Sequence, residues 1–152
     1  MALEELYREV ILDHYRNPRN RRPLDAPDFR AEGVNPLCGD EVTVEVSFDG
    51  EAVTEVSVRG HGCSISQSSG SMMGQAIRGL DRAGIVQLAE RFNAMLTSEN
   101  GDHADAEPGA VLGELEALQG VRRYPVRIKC ASLPWTTLVQ ALNQEPRPPA
   151  PA

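Results

Sequence analysis

The stretch Val56–Gly74, which reads VSVRGHGCSISQSSGSMMG, changes its pattern at Cys63. Before Cys63, valines alternate with polar residues, and this alternation predicts a half-buried strand. Gly60 and Gly62 then predict a tight turn, and the serine-rich run that follows Cys63 predicts a helix. The sequence therefore places Cys63 between the end of a strand and the start of a helix.

A thiol at that position has distinctive chemistry. The unpaired N–H groups and the dipole of a helix N-terminus favour negative charge, so a cysteine there ionises more readily and becomes a better nucleophile or metal ligand. The alternative is that Cys63 only fills the core, since free cysteine is among the most buried residue types. The flanking glycines and serines leave both interpretations open.

The size of the chain favours a single domain. Its 152 residues can bury a core without disulfides or structural metals. We expect one domain over residues 1–145, followed by a disordered tail rich in proline and alanine over residues 146–152.

Composition restricts the compartment and the partners. The chain has 3 cysteines, an odd number and widely spaced, so they do not form a disulfide framework. The charged N-terminus does not resemble a secretory leader, and we expect a soluble, cytoplasmic protein with reduced thiols. A net charge of -7 disfavours nucleic acid and anionic membranes as partners.

The first half of the chain is predicted to form one helix and a meander of strands. Apolar residues spaced by three and four predict an amphipathic helix over the first fifteen or so residues, in which a packed His14 is favoured over a metal-binding one. Alternating apolar residues predict strands over 31–35, 42–48 and 53–58, with a hairpin turn at Asp49-Gly50. A slip in the apolar phase between Val53 and Val56 predicts a bulge. In this arrangement, the turns that carry Cys38 and Cys63 lie at the same end of the sheet.

The second half of the chain is predicted to be helical. The helix after Cys63 should end at Gly79, and Asp81 should cap the next one. An acidic loop over Glu99–Pro108 should precede a short helix that ends at Gly120. Because proline is tolerated in a first helical turn, Pro134 predicts a last helix that begins close to Cys130.

Four potential anionic ligands thus lie in turns or near helix starts: Cys38, Asp40, Cys63 and Cys130. Zinc takes tetrahedral thiolate and carboxylate ligands, and Cys38 and Asp40, on either side of a glycine, can point the same way. The spacing alone does not identify a metal site, because the chain has no Cys-x-x-Cys pair. Lys129 and Arg127 supply positive charge that would help to hold a thiolate at Cys130.

Several motifs resemble a known family. Leu-Cys-Gly-Asp at 37–40, Gly-Cys-Ser-Ile-Ser-Gln at 62–67 and Arg-Ile-Lys-Cys-Ala-Ser-Leu-Pro-Trp at 127–135 are similar to the IscU-like (NifU N-terminal) superfamily of iron–sulfur cluster assembly, and most similar to its SufU branch. The resemblance extends from Asp13 to about Leu142. It implies an α+β fold in which a three-stranded antiparallel sheet packs against helices.

Two functions occur in that superfamily. Scaffold members build an iron–sulfur cluster on three cysteines and carry a histidine just before the third, whereas SufU-type members bind zinc and accept sulfur from a cysteine desulfurase. This chain has Lys129 in place of that histidine, a long segment over Leu80–Gln119, and Tyr124–Arg127 where scaffolds have the chaperone motif Leu-Pro-Pro-Val-Lys. All three differences favour the zinc-dependent sulfurtransferase.

The resemblance also implies roles for individual residues. The zinc ligands would be Cys38, Asp40, Cys63 and Cys130, and Cys38 would accept the sulfur after a histidine of the SufS-like desulfurase replaces it on zinc. Arg127 would stabilise the acceptor or dock the desulfurase, or be a plain surface arginine. Other cluster-assembly proteins would be further partners. The alternatives are a non-catalytic scaffold that holds a cluster on the same cysteines, and a purely structural zinc domain.

Overall fold

The computed structural model describes residues 3–97 and 112–144, with side chains from residue 5 onward. Its elements, in chain order, are α1 (Leu3–Arg16), β1 (Phe29–Asn35), β2 (Asp40–Asp49), β3 (Ala52–His61), α2 (Ser64–Ala76), α3 (Arg82–Thr97), a 3₁₀ helix (Gly113–Arg123) and α4 (Pro125–Leu142). The acidic stretch Glu99–Pro108 and the tail 146–152 lie outside the described residues. None of the helices in the described ranges is long and apolar enough to cross a membrane.

The strands form one antiparallel sheet in the order β1-β2-β3, which confirms the α+β prediction. Ser47 pairs with Glu55 and Phe48 pairs with Val53, so Thr54 is an extra residue on β3. This irregularity confirms the bulge that the slipped apolar phase predicts. Residues 36–39 and residues 62–63 leave the sheet at the same end, because β2 and β3 form one hairpin.

The core lies between the sheet and the helices. α4 packs against β1 and β2, and α2 packs against β3, α4 and α1. Val44 and Val46 of β2 are fully buried, as is Leu138 of α4. The ring of Phe92 in α3 stacks on Trp135 in α4 with centroids 4.9 Å apart, so these two helices pack against each other. The sheet thus supports α2, which follows Cys63, and α4, which contains Cys130.

The start of α4 differs from the prediction. The helix begins at Pro125, a favoured first position for proline, and Pro134 lies in its interior. Proline has no N–H, so the helix lacks the hydrogen bond that residue 134 would donate to the carbonyl of Cys130. The hydroxyl of Ser69 in α2 donates to the neighbouring carbonyl of Ala131 at 2.6 Å. Packing against α2 thus supports the part of α4 that the proline weakens.

Two other helices end a few residues from their predicted ends, whereas the predicted cap of α3 is present. α2 ends at Ala76, and a turn follows through Gly79, whose φ is +83°. Asp81 caps α3 as predicted, since its Oδ1 accepts a hydrogen bond from the Gly84 N–H at 2.7 Å. The 3₁₀ helix continues past Gly120, where the prediction ended it, to Arg123.

Candidate metal centre

A four-residue turn holds Cys38 beside Asp40. β1 ends at Asn35 and β2 begins at Asp40, and these two residues pair across the sheet. The turn closes with a hydrogen bond of 3.3 Å from the Cys38 N–H to the Asn35 carbonyl. Gly39 has a φ of +70°, a conformation that favours glycine. Cys38 is therefore half-buried in the turn, and Asp40 is buried at the first position of β2.

Cys63 is the N-cap residue of α2. Its N–H donates to Asp40 Oδ1 at 2.9 Å, and its Sγ lies 3.9 Å from Asp40 Oδ2. A side chain at Gly62, which has a φ of +152°, would collide with Oδ1 of Asp40. The turn predicted from two glycines is shorter in the structure, because Gly60 still belongs to β3.

Cys130 lies in the second turn of α4, which begins at Pro125 and not close to Cys130 as the sequence predicted. It is fully buried, and its Sγ is 3.3 Å from the Sγ of Cys38. The Sγ also lies 3.7 Å from the carbonyl oxygen of Val126, one turn earlier in the helix. Cys130 owes its place in the site to the docking of α4 on the sheet.

The structure brings the sequence-predicted ligands together. Ligand atoms of Cys38, Asp40 and Cys130 all lie within 4.8 Å of one another. Cys63 lies outside that mutual group but is adjacent to the Asp40 carboxylate, 3.9 Å away. Three thiols and one carboxylate are a donor set that zinc accepts, with bond lengths of about 2.0–2.3 Å. The residues present therefore fit a zinc ion.

The electrostatics of the site also favour a cation. Burial raises the pKa of the Cys130 thiol well above its usual value, and its contacts with Cys38, Asp40 and Cys63 raise that pKa further. Ionising several adjacent acidic groups is costly unless a positive charge compensates them. A divalent cation would remove that cost, because coordinated thiols are deprotonated.

One arginine supplies part of this positive charge. Attraction to the Cys63 sulfur raises the pKa of Arg127 above its usual value, and interactions with the Cys130 sulfur add to the effect. Lys129, the other cation considered from the sequence, is exposed and has no side-chain hydrogen bond or ion pair to a described residue. Electrostatic attraction therefore links Arg127 to the cysteines.

Asn35 is a site residue that sequence reasoning missed. It is buried, and its side-chain Nδ2 donates toward the Sγ of Cys130 over 3.7 Å. Its Oδ1 accepts a hydrogen bond from the Leu37 N–H at 3.3 Å, inside the turn that carries Cys38. One amide side chain thus contacts both the sulfur of Cys130 and the backbone next to Cys38. An asparagine at a strand end, three residues before a cysteine, was the available signal.

His14 is packed, as the sequence favoured, and does not belong to the group formed by Cys38, Asp40 and Cys130. It is fully buried, its Nδ1 lies 2.8 Å from the Ser71 hydroxyl, and its Nε2 lies 2.5 Å from Glu114 Oε2. These contacts tie α1 to α2 and to the 3₁₀ helix. His14 therefore helps to hold three elements together.

The chain matches a known protein family. Residues 6–131 match the family described as NifU-like N terminal domain. The chain belongs to this family.

Its relatives in the family have different names. A Bacillus subtilis protein named zinc-dependent sulfurtransferase SufU is 41% identical over 143 residues, 94% of this chain and 93% of the relative. A Streptococcus pyogenes protein named iron-sulfur cluster assembly scaffold protein IscU is 35% identical over 93% of this chain and 86% of its own. The crystal structure of FiSufU from Fervidobacterium islandicum AW-1, described as an iron-sulfur cluster assembly scaffold protein for the SUF system, has a TM-score of 0.80 and 32% identity, covering 93% of this chain and 100% of that one.

Proposed function

We propose that this member of the NifU-like family is a zinc-dependent sulfurtransferase that accepts sulfur from a cysteine desulfurase for iron–sulfur cluster assembly. One observation carries the proposal: Cys38, Asp40 and Cys130 converge, with Cys63 beside Asp40, in a chain 41% identical to a protein named zinc-dependent sulfurtransferase. Cys38, Asp40, Cys63 and Cys130 would hold the ion. Zinc, when bound, would keep the thiols deprotonated and lower their nucleophilicity.

The surroundings of the cysteines support Cys38 as the acceptor. Cys130 is fully buried in α4, and Cys63 is the N-cap of α2, with its N–H bound to Asp40. Cys38 is half-buried in a short turn beside Leu37, whose side chain is 68% exposed. Moving Cys38 toward a partner requires only a change in that turn, whereas moving either of the other cysteines would disturb a helix.

The chemical step is an exchange between a thiolate and a persulfide. The Cys38 thiolate attacks the terminal sulfur of the desulfurase persulfide. A new S–S bond forms, the desulfurase cysteine leaves as a thiolate, and the proton stays on the transferred sulfur. Arg127, which interacts with the Cys63 and Cys130 sulfurs, is placed to balance the negative charge that remains in the site.

A cluster scaffold is the second candidate. Three thiols at one site also suit an iron–sulfur cluster, and a relative 35% identical over 93% of this chain is named as a scaffold. The resemblance places Lys129 where scaffold members have a histidine. Lysine coordinates metals poorly when it is protonated, and this favours the sulfurtransferase over the scaffold.

Two measurements test the proposal. The first is the content of zinc, iron and acid-labile sulfide in chain purified anaerobically from cells supplied with both metals. About one zinc per chain without iron is expected, whereas matched iron and sulfide would favour the scaffold. The second is the stimulation of the cysteine desulfurase, which Cys38→Ser should abolish. A Cys38→Ser chain that still stimulates fully would remove Cys38 from the acceptor role.

A further inference from the structure

A groove with a volume of about 1100 Å³ lies between α1 and the junction of the 3₁₀ helix with α4. Apolar side chains of both sides line it, including Ile11, Ile65 and Val121. Four arginines also line it: Arg8, Arg122, Arg123 and Arg127. We call this the arginine groove.

The charge of the groove is opposite to that of the chain. The whole chain carries a net charge of -7, yet none of the described residues that line the groove has a carboxylate side chain. Arg8, Arg122 and Arg123 form no hydrogen bond or ion pair through their side chains within the described ranges. By contrast, Arg19, Arg30 and Arg59 are paired with carboxylates. No ion pair with a described residue therefore accounts for the position of Arg8, Arg122 and Arg123 in the groove.

The groove adjoins the candidate metal centre. Ser64, which follows Cys63, lines it, and so does Arg127, which interacts with the Cys63 and Cys130 sulfurs. Tyr124 and Val126 also line the groove and are 63% and 54% exposed. Exposed aromatic and aliphatic side chains next to arginines are typical of protein interfaces. The Cys130 sulfur lies 3.7 Å from the Val126 carbonyl oxygen and 3.3 Å from the Cys38 sulfur. A protein that delivers sulfur to Cys38 must therefore approach close to Val126.

We infer that the arginine groove docks an acidic segment, with apolar anchoring side chains, of the protein that donates sulfur to Cys38. This inference rests on the proposed function for the identity of the partner. Carboxylates of the segment pair with the arginines, and its apolar side chains contact Tyr124 and the floor of the groove. Charge complementarity of this kind accelerates association and selects the partner.

The experiment compares two double variants with the same change in charge. Arg8→Glu/Arg123→Glu reverses two groove arginines, both exposed, and leaves Arg127 intact. Arg22→Glu/Arg91→Glu reverses two exposed arginines that do not line the groove. Binding of each zinc-loaded chain to the cysteine desulfurase is measured by interferometry as a function of KCl concentration. Zinc content and the melting temperature confirm that each variant is folded.

We expect the groove variant to bind about tenfold more weakly, with a shallower salt dependence, and the control variant to bind like the wild type. Tyr124→Ala should weaken binding several-fold at all salt concentrations. Equal binding by the two double variants would overturn the inference. So would a wild-type dimer that the groove variant converts to monomers in sedimentation, because the occupant would then be a second copy of this chain.

Binding and sulfur transfer separate this inference from the proposed function. A wild-type chain that binds the desulfurase through the groove but receives no sulfur would refute the proposed function and leave the docking surface established. A wild-type chain that receives sulfur, with unchanged affinity in the groove variant, would refute the docking surface alone.

Discussion

The sulfur atoms of Cys38 and Cys130 lie 3.3 Å apart, although the two residues are 92 positions apart in the chain. A disulfide bond requires about 2.05 Å, so a small movement of the Cys38 turn brings the atoms into bonding range. We expect hydrogen peroxide to link Cys38 to Cys130 in the metal-free protein, oxidising the two thiols while the peroxide is reduced to water. Mass spectrometry of the digested protein identifies the linked peptides.

Two controls accompany this prediction. Cys63→Ser should retain the crosslink, and loading the wild type with zinc should slow its formation, because coordinated thiolates react less readily. A dominant link between Cys38 and Cys63 would contradict the arrangement, since the Cys38 sulfur is in contact with that of Cys130, and Cys63 lies outside the group formed by Cys38, Asp40 and Cys130.

Asn35 should influence zinc retention. Its side chain donates toward the Cys130 sulfur and accepts from the Leu37 N–H. Asn35→Leu removes both contacts, and groups that orient metal ligands are commonly worth about 10–100-fold in affinity. We expect the zinc affinity of Asn35→Leu to fall by that factor, as measured by competition with a chromophoric chelator.

Asn35→Asp separates the two contacts of Asn35. The aspartate keeps an acceptor for Leu37 but has no donor for Cys130, so a loss of affinity like that of the leucine variant would assign the effect to the Cys130 contact. Wild-type affinity in both variants would show that Asn35 serves only the fold.

Glu45 should stabilise the protein above about pH 4.5. Burial opposes its ionisation, but hydrogen bonds from Arg59, at 2.5 Å, and from the Leu24 N–H, at 3.2 Å, outweigh it, so the pKa of this carboxyl lies below its usual value. A lowered pKa means that the folded state holds the carboxylate more strongly than the unfolded state does. The contribution is therefore complete above the unfolded pKa and is lost as the pH falls through the folded pKa.

Glu45→Gln should lower the free energy of unfolding at pH 7 by about 1–2 kcal/mol and reduce its decline in acid. Urea unfolding between pH 3 and pH 7 measures both effects. Glu55→Gln is the matched control, because Glu55 is exposed on the neighbouring strand. If the free energy of unfolding declines equally in acid for the wild type and Glu45→Gln, the role assigned to Glu45 is wrong.

Local patterns were sufficient to predict the three strands and their order, although β1 begins at Phe29 and β3 extends to His61, beyond the predicted bounds. Alternation through Val42, Val44 and Val46 predicted β2, Asp49-Gly50 predicted the hairpin, and the slipped phase before Val56 predicted the bulge. Each of these signals depends on residues close in sequence. The placement of Cys38, Asp40 and Cys63 at one end of the sheet follows from them.

The contribution of α4 depends on distant residues and could not be predicted in the same way. An interior proline costs about 3 kcal/mol, so a helix start near Pro134 was the expected solution. Packing of α4 on β1 and β2 and the Ser69 hydroxyl outweigh this cost. The role of Asn35 likewise depends on Cys130, 95 residues away, which no local pattern indicates.

Gly62 should be required both for the fold and for the metal centre. An added methyl group would collide with Oδ1 of Asp40, the atom that accepts the Cys63 N–H. Gly62→Ala should therefore lower the melting temperature and weaken zinc retention. Gly79→Ala is the control, because Gly79 also has a positive φ but has nothing within 4 Å of the added atom. It should cost about 1 kcal/mol from backbone strain alone and leave zinc affinity unchanged. Equal zinc affinities in the two variants would mean that Asp40 does not depend on the space that Gly62 provides.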